Sequence, residues 1–391
     1  MKNPKLRLLF AGSPAIAVPS LQMLAEGAKM GRWQLAGILT NCDKAKGRSG
    51  KTSPSEVGAF AETILEEFAA LKLSVPSSIA VPSSIAVPSS IAVPAILKFD
   101  TLKEEARTVV FSLKPDLLVS FAYGRIFGPK FMALFPLGGI NVHPSLLPKY
   151  RGASPIQEAI LRRDTETGIT IQRIVMEMDA GDILAQETIP LGGRETTASL
   201  SDIAGVKGAA LLDSVLDRLP QGIPQQGEAS YCFMLTKESG LIDWNKSAIE
   251  IDAQIRSCNP WPLAYTAHNG IILNILEAVP VLSNLDSVNM LDVSHACAGG
   301  GGPSSVSDTG ASIGPTPYCH NSVNMLDVSH ACAGRVDPGW VLGIDKKYGI
   351  LVKTGDGILA LTQLQYQTRK ALSWQAFLNG ARDFIGSCLG N

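Results

Sequence analysis

The chain has 391 residues, of which 46% are hydrophobic and 18% charged, and its net charge is −1. That length admits two domains, and that apolar share excludes global disorder. The charge balance neither requires nor excludes a nucleic-acid partner, because a local patch is enough to attract one. Apolar runs are broken by Gly, Pro, Ser or charge before they reach the length of a bilayer span. The N-terminus lacks the apolar core and small-residue cleavage site of a signal peptide. The seven cysteines are odd in number and form no Cys-x-x-Cys pair, so reduced thiols of a cytosolic protein are expected.

In chain order, residues 6–11 read as a buried strand. A turn at Gly12, Ser13 and Pro14 follows, then a helix over about 15–26. This turn carries one glycine and fails the Gly-x-Gly-x-x-Gly spacing, which rejects a nicotinamide-binding reading. Residues 33–40 read as a second strand, 54–71 as a crossing helix, and 116–121 and 139–142 as further buried strands. Such alternation predicts a mostly parallel α/β sheet covered on both faces. β-branched alternation over 167–175 and 183–190 predicts a hairpin-like return, and a helix over 197–219 closes the first domain. Residues 220–230, rich in Pro, Gly and Gln, read as a linker between a domain at 1–219 and a second at 231–391. In the second, a helix near 248–258 precedes strand signals at 264–268, 271–281, 340–344, 350–353 and 358–365. Gly355-Asp-Gly357 marks a tight hairpin turn. Five short strands fit a small OB-like β-barrel, closed by a helix over 373–384 capped by Ser373.

Two internal repeats interrupt this plan. VPSSIA recurs three times over 75–92. A proline every sixth residue argues against helix or central strand and for an expanded surface loop. SVNMLDVSHACAG at 287–299 is copied at 322–334, so an insertion spans about 285–334. His295, Cys297, Cys319, His320, His330 and Cys332 lie within it. Their spacing matches neither a zinc finger nor a ribbon, so no metal is expected.

The chemistry concentrates in NVHPSLLPKYRGASP at 141–155 and MDAGD at 178–182. Residues two apart on a strand point the same way, so Asn141 and His143 share a face, and Pro144 ends the strand. Strand ends of an open α/β sheet line its ligand crevice. An amine attacking a formyl carbon builds a tetrahedral centre with a developing oxyanion. Asn141 can donate to that oxygen. His143 can donate to it or to the leaving nitrogen, and a carboxylate such as Asp179 orients a charged imidazole.

These motifs resemble the folate-dependent formyltransferase family. The resemblance implies a Rossmann-like catalytic domain, with 10-formyltetrahydrofolate as co-substrate and no metal. It implies Asn141, His143 and Asp179 as the catalytic set. Ser145, Leu146, Leu147 and Pro148 match the family's folate loop. VSFAYGRIF at 119–127 matches the segment beside the pterin, with Phe121, Tyr123 and Arg125 as contacts. LTKESGLIDW at 235–244, IRSCNPWP at 255–262 and TGDGIL at 354–359 resemble the C-terminal domain of members that formylate an aminoacyl-tRNA. DKAKGRSGK at 43–51 holds four basic residues and one acidic residue among glycines, a composition that can follow phosphates. It sits where the family has its tRNA-acceptor loop, which implies Lys46, Arg48 and Lys51 as contacts.

Formyl transfer to the α-amino group of initiator methionyl-tRNA, for translation initiation, is the implied function. The implied setting is the bacterial cytoplasm, with no membrane partner and a monomeric chain. The alternatives are a formyltransferase for a small amine such as glycinamide ribonucleotide, which would not need the second domain, a formyltetrahydrofolate hydrolase, and a non-catalytic tRNA-binding protein. An intact Asn, His and Asp set argues against the last.

Overall fold

A computed structural model of the chain describes residues 5–45, 52–74, 92–281, 289–290 and 336–390. Lys46, Arg48, Lys51, the VPSSIA repeat up to residue 91, and all six His and Cys residues of the second insertion lie outside the described residues. The chain divides into two compact units, Met1–Met234 and Leu235–Asn391.

The first unit is built on a seven-stranded sheet: β1 (Arg7–Gly12), β2 (Gln34–Thr40), β3 (Ala95–Lys98), β4 (Leu117–Phe121), β5 (Gly139–His143), β6 (Glu166–Arg173) and β7 (Ile183–Pro190). The strand order is β7-β6-β5-β4-β1-β2-β3. The five strands from β3 to β5 run parallel, and β6 and β7 return antiparallel, as the hairpin reading expected.

Strands buried on both faces need apolar side chains at every position, and these strands divide theirs between two cores. Leu8, Phe10, Ile38, Val119, Phe121, Ile140 and Val142 join one core, with α1 (Val18–Lys29), α2 (Glu56–Ser74) and α5 (Thr197–Arg218). Leu9, Ala11, Leu39, Leu97 and Leu118 join the other, with Val110 of α3 (Glu104–Ser112). A Thr196/Ser199 capping box starts α5, and left-handed Leu219 (φ 39°) ends it before Pro220.

β3, α3 and α4 (Pro155–Arg162) have no counterpart in the sequence reading. β3 is a four-residue edge strand, and α3 buries only Ala106 and Val110, so both carry a weak pattern. α4 carries a legible signal, Pro155 in its first turn after Ser154.

Segment 220–230 is stitched to the first unit. Ile183 and Ile223 exchange both backbone hydrogen bonds, and Tyr231–Cys232 pairs in parallel with Arg151–Gly152. Gln225 and Ser230, two polar residues of this segment, add side-chain hydrogen bonds to the rest of the first unit.

The second unit holds an antiparallel sheet: β8 (Ala264–His268), β9 (Ile271–Val281), β10 (Val341–Asp345), β11 (Gly349–Lys353) and β12 (Ile358–Tyr366). The order β8-β9-β12-β11-β10 is extended by Asn289–Met290 beside β10 and Leu372–Ser373 beside β12. This is the small barrel-like domain expected. α6 (Ala248–Ser257) opens on a Ser247/Glu250 capping box, and its Ile251 and Ile255 pack into the strand core. α7 (Trp374–Gly380) is capped by Ser373 as expected, but stops short of residue 384. Ala381, at φ −134°, takes the chain out of the helix. Among the described residues no helix is long and apolar enough to cross a membrane.

Trp33 fixes the packing of α1. Its ring is 4% exposed and its indole donates to the Leu24 carbonyl at 2.8 Å. A Cβ on Gly27 would lie 2.2 Å from the ring. Gly27→Ala should gain about 1 kcal/mol of helix propensity but lose about 1–3 kcal/mol to overpacking. The expected result is a lower urea midpoint at unchanged slope; a midpoint at or above the parent's would contradict this account.

Candidate active site

Strand order reverses at β1, so the crevice beyond the carboxyl ends of β1 and β4 is the expected ligand site of this sheet. The chain is tight there. A Cβ on Gly12 would lie 2.9 Å from the Phe121 carbonyl. Ser13 Oγ accepts from the Asn41 amide at 3.2 Å, and the Asn41 carboxamide donates to the Tyr123 carbonyl at 3.3 Å. Arg125 donates from Nε to Asn41 Oδ1 at 2.9 Å and from Nη1 to the Phe99 carbonyl at 2.6 Å. The ends of β1, β2, β3 and β4 are thus tied into one rim.

Phe121 and Tyr123 are buried on different sides. The Phe121 side chain belongs to the core with α1 and α5, so it offers a ligand only its main chain. Tyr123 joins the other core, and its hydroxyl has no hydrogen-bond partner among the described residues. Burial pushes its acidity down, raising its pKa. Between them Ala122 is exposed with φ at 50°, in the left-handed region that side chains avoid.

Backbone register brings Ser120, Asn141 and Gln172 into one row across β4, β5 and β6, with Thr170 beside His143. Neighbours in that row share a sheet face, opposite to Phe121, Val142 and Ile171. Asn141 is half-buried, and no side-chain hydrogen bond occupies its carboxamide among the described residues. His143 is 4% exposed. Its Nε2 lies 2.9 Å from the Tyr150 carbonyl. A carbonyl only accepts, so Nε2 carries the hydrogen. Nδ1 lies 3.6 Å from Asp179 Oδ1, an ion-pair distance longer than a hydrogen bond. Both atoms facing the ring are acceptors, so a ring carrying two hydrogens has a donor for each.

Asp179 is fixed from three sides. The Gly152 amide donates to Oδ2 at 2.9 Å, and Gln172 Nε2 donates to Oδ1 at 2.8 Å. Gln225 Nε2 donates to the main-chain oxygens of Asp179 and Gly181, at 2.7 and 2.8 Å. The residue itself has φ at 49°. A Cβ on Gly181 would lie 1.8 Å from the Arg173 carbonyl, so only glycine fits there.

Segment 145–148 is pinned from within. Ser145 Oγ donates to the Lys149 carbonyl at 2.6 Å. Thr170 Oγ1 donates to the Ser145 carbonyl at 2.7 Å and accepts from the Leu147 amide at 3.2 Å. Gln186 Nε2 donates to the Leu147 carbonyl at 2.8 Å. Ser145 and Leu147 are buried, whereas Leu146 and the cis Pro148 are half-buried. Tyr150, left-handed at φ 59°, donates its hydroxyl to Asp164 at 2.6 Å, and burial pushes its pKa up. Asn141, His143 and Asp179 are thus gathered with the 145–148 loop, while Tyr123 and Arg125 line the strand-end rim. Gln172, Gln225, Thr170, Gln186 and the Gly152 amide are further members that sequence reading missed. Among the described residues no group of three His, Cys, Asp or Glu side chains could hold a metal ion.

Comparison with known proteins decides the family. Residues 8–215 match formyl transferase, and residues 234–382 match formyl transferase, C-terminal domain. The chain belongs to the formyl transferase family. It is 38% identical to a methionyl-tRNA formyltransferase of Treponema denticola over 387 residues, covering 97% of this chain and 98% of that one. It is 32% identical to a methionyl-tRNA formyltransferase of Borrelia turicatae, covering 97% and 99%. A solved N-formyltransferase of Helicobacter canadensis, in complex with folinic acid and dTDP-3-aminofucose, shares the fold with TM-score 0.52 at 17% identity, covering 91% and 99%.

Cys232 reports on this site. It is 4% exposed beside the Tyr150 and Arg151 carbonyls, and burial pushes its thiol up to about 11. Neutral and buried, it should resist iodoacetamide near neutral pH, since the thiolate is the nucleophile. Gly152 has φ at 120°, and a Cβ there would lie 2.2 Å from the Cys232 carbonyl. Gly152→Ala should therefore part the Arg151–Gly152 and Tyr231–Cys232 pair. Peptide mass spectrometry should find Cys232 alkylated in the variant and protected in the parent; protection in both would contradict the tight packing.

Proposed function

We propose that this chain transfers the formyl group of 10-formyltetrahydrofolate to the α-amino group of initiator methionyl-tRNA, in the bacterial cytoplasm. The observation that carries this reading is the near-complete two-way coverage of bacterial methionyl-tRNA formyltransferases, through both the catalytic and the C-terminal domain. The gathering of Asn141, His143 and Asp179 supports the chemistry.

The amine attacks the formyl carbon, forming the new N–C bond and a tetrahedral oxyanion. The carboxamide of Asn141, with no side-chain hydrogen bond among the described residues, donates to that oxyanion. The Nε2 hydrogen of His143, held by the Tyr150 carbonyl at rest, is the donor a substrate atom competes for. A hydrogen on Nδ1 faces Asp179, whose charge balances the imidazolium. The amine gives up a proton, the folate nitrogen takes one, and cleavage of its bond to the formyl carbon releases tetrahydrofolate. Ser145, Leu146, Leu147 and Pro148, with Phe121, Tyr123 and Arg125, would hold the folate. The strand-end rim and the Tyr123 hydroxyl, without a partner among the described residues, fit a polar ring system there. Lys46, Arg48 and Lys51, in the stretch of sequence between the paired strands Lys44–Ala45 and Thr52–Ser53, would contact tRNA phosphates.

The deciding assay measures formyl transfer from the folate donor to charged initiator tRNA, beside folate hydrolysis without tRNA. Transfer should dominate; hydrolysis alone would make the chain a hydrolase. His143→Ala and Asp179→Ala should each lower turnover by about 10²–10⁴-fold with the fold intact. Asn141→Ala should act on kcat, because its hydrogen bond strengthens as the oxyanion forms; a change confined to KM would contradict that role.

Replacing Arg48 and Lys51 with Ala should weaken tRNA binding and flatten its salt dependence. Folate affinity should hold. Equal loss for both substrates would point to a damaged fold instead.

A further inference from the structure

Gln225 lies in the segment that follows the last helix of the first unit, outside every motif that carries the family resemblance. It nevertheless touches both arms that orient Asp179. Its Nε2 donates to the Asp179 and Gly181 carbonyls, at 2.7 and 2.8 Å, across the turn that carries the carboxylate. Its Oε1 accepts from Arg151 Nη2 at 2.8 Å and Nε at 3.1 Å. Arg151 lies between Tyr150, whose carbonyl holds His143, and Gly152, whose amide holds Asp179. The Ile183–Ile223 backbone pair fixes Gln225 two residues earlier in the chain.

We propose that Gln225 is a positioning residue for the reaction, acting through Asp179: its carboxamide clamps the left-handed Asp179 turn to the 150–152 segment and so sets the carboxylate against His143. A primary amide is the group this place requires. It must donate twice to carbonyls and accept from a guanidinium, which neither a carboxylate nor an apolar side chain can do. The inference rests on the proposed formyl transfer for its kinetic consequence, while its geometric content stands without it.

Two variants separate the contributions. Gln225→Met keeps the size and loses every hydrogen bond. Gln225→Glu keeps the acceptor for Arg151 and loses the donor to the carbonyls. Both should lower kcat by up to about 10²-fold, the scale of a catalytic group displaced by an ångström, with KM for folate and tRNA unchanged. In an Asp179→Asn background either substitution should add little further loss, because it acts through the carboxylate already removed. Losses that multiply fully in that background, or a kcat equal to the parent's, would overturn the proposal. Nitrogen-15 shifts of the His143 ring, assigned by their disappearance in His143→Gln, provide a readout without substrate. They should move in Gln225→Met toward those of Asp179→Asn; unmoved shifts would count against positioning even if the chain formylates nothing. Should Gln225→Met fail to fold, Gln225→Glu carries the same comparisons. A parent enzyme that transfers no formyl group, with ring shifts that still respond to Gln225, would sink the functional reading and leave the clamp standing.

Discussion

The site depends on one constrained residue. Asp179 reaches His143 from a hairpin turn in which its own backbone sits at φ 49°. That conformation costs roughly 1–3 kcal/mol for a residue with a side chain. The hydrogen bonds that hold it exceed this cost in aggregate: bonds to a charged group contribute about 1.5–3 kcal/mol each, and the carboxylate receives two, from Gly152 and Gln172. Gln225 adds two more to the turn's main chain. Gly181 is part of the same constraint, because Arg173 approaches it too closely for any Cβ. The strain is therefore held by the fold around it, and the carboxylate keeps both oxygens satisfied before any substrate arrives.

The sheet supplies the other half of the geometry. β5 alternates Ile140 and Val142 into the helix-covered core with Asn141 and His143 on the opposite face. A register slip of one residue would exchange the two sets and bury both functional side chains in the apolar core. Register is fixed on both sides of β5, by Ser120 of β4 and by Gln172 and Thr170 of β6. The antiparallel return of β6 matters here. It brings Gln172 beside Asn141 and carries the chain into the Asp179 turn, so one hairpin delivers both the carboxylate and a donor that binds it.

Much of this was legible in the sequence because its signals are local. Alternating or continuous apolar runs marked the long strands, Pro144 marked the end of β5, and Ser373 marked the start of α7. The proximity of Asn141, His143 and Asp179 was expected from the resemblance, not from spacing, since Asp179 follows His143 by 36 positions. What escaped was non-local. Gln172 and Gln186 look like ordinary polar positions of half-exposed strands until register places them beside Asp179 and Leu147. Gln225 sat in a segment whose Pro, Gly and Gln content reads as a linker, and composition does not reveal which glutamine finds a pair of carbonyls. The buried Phe121 side chain shows the converse: a residue named by a motif can turn its side chain into the core.

The same distinction between local and long-range order explains where the chain can lengthen. The first repeat enters between α2 and β3, and among the described residues β3 is an edge strand paired only with β2. The second enters between β9 and β10. β9 takes its register from β8 and β12, and β10 from β11, with Asn289–Met290 of the insertion also paired to β10, so neither β9 nor β10 depends on pairing with the other. Added length at such points changes loop closure by only about 0.6 kcal/mol per doubling, and no strand pair that positions Asn141 or His143 spans either insertion. An insertion of similar length in the turn at 178–182 would have no such latitude, because Asp179, Gly181 and Asp182 are held against Gly152, Gln172, Arg173 or Gln225. Both repeats therefore enter the sequence outside the strand pairs that set register at Asn141 and His143.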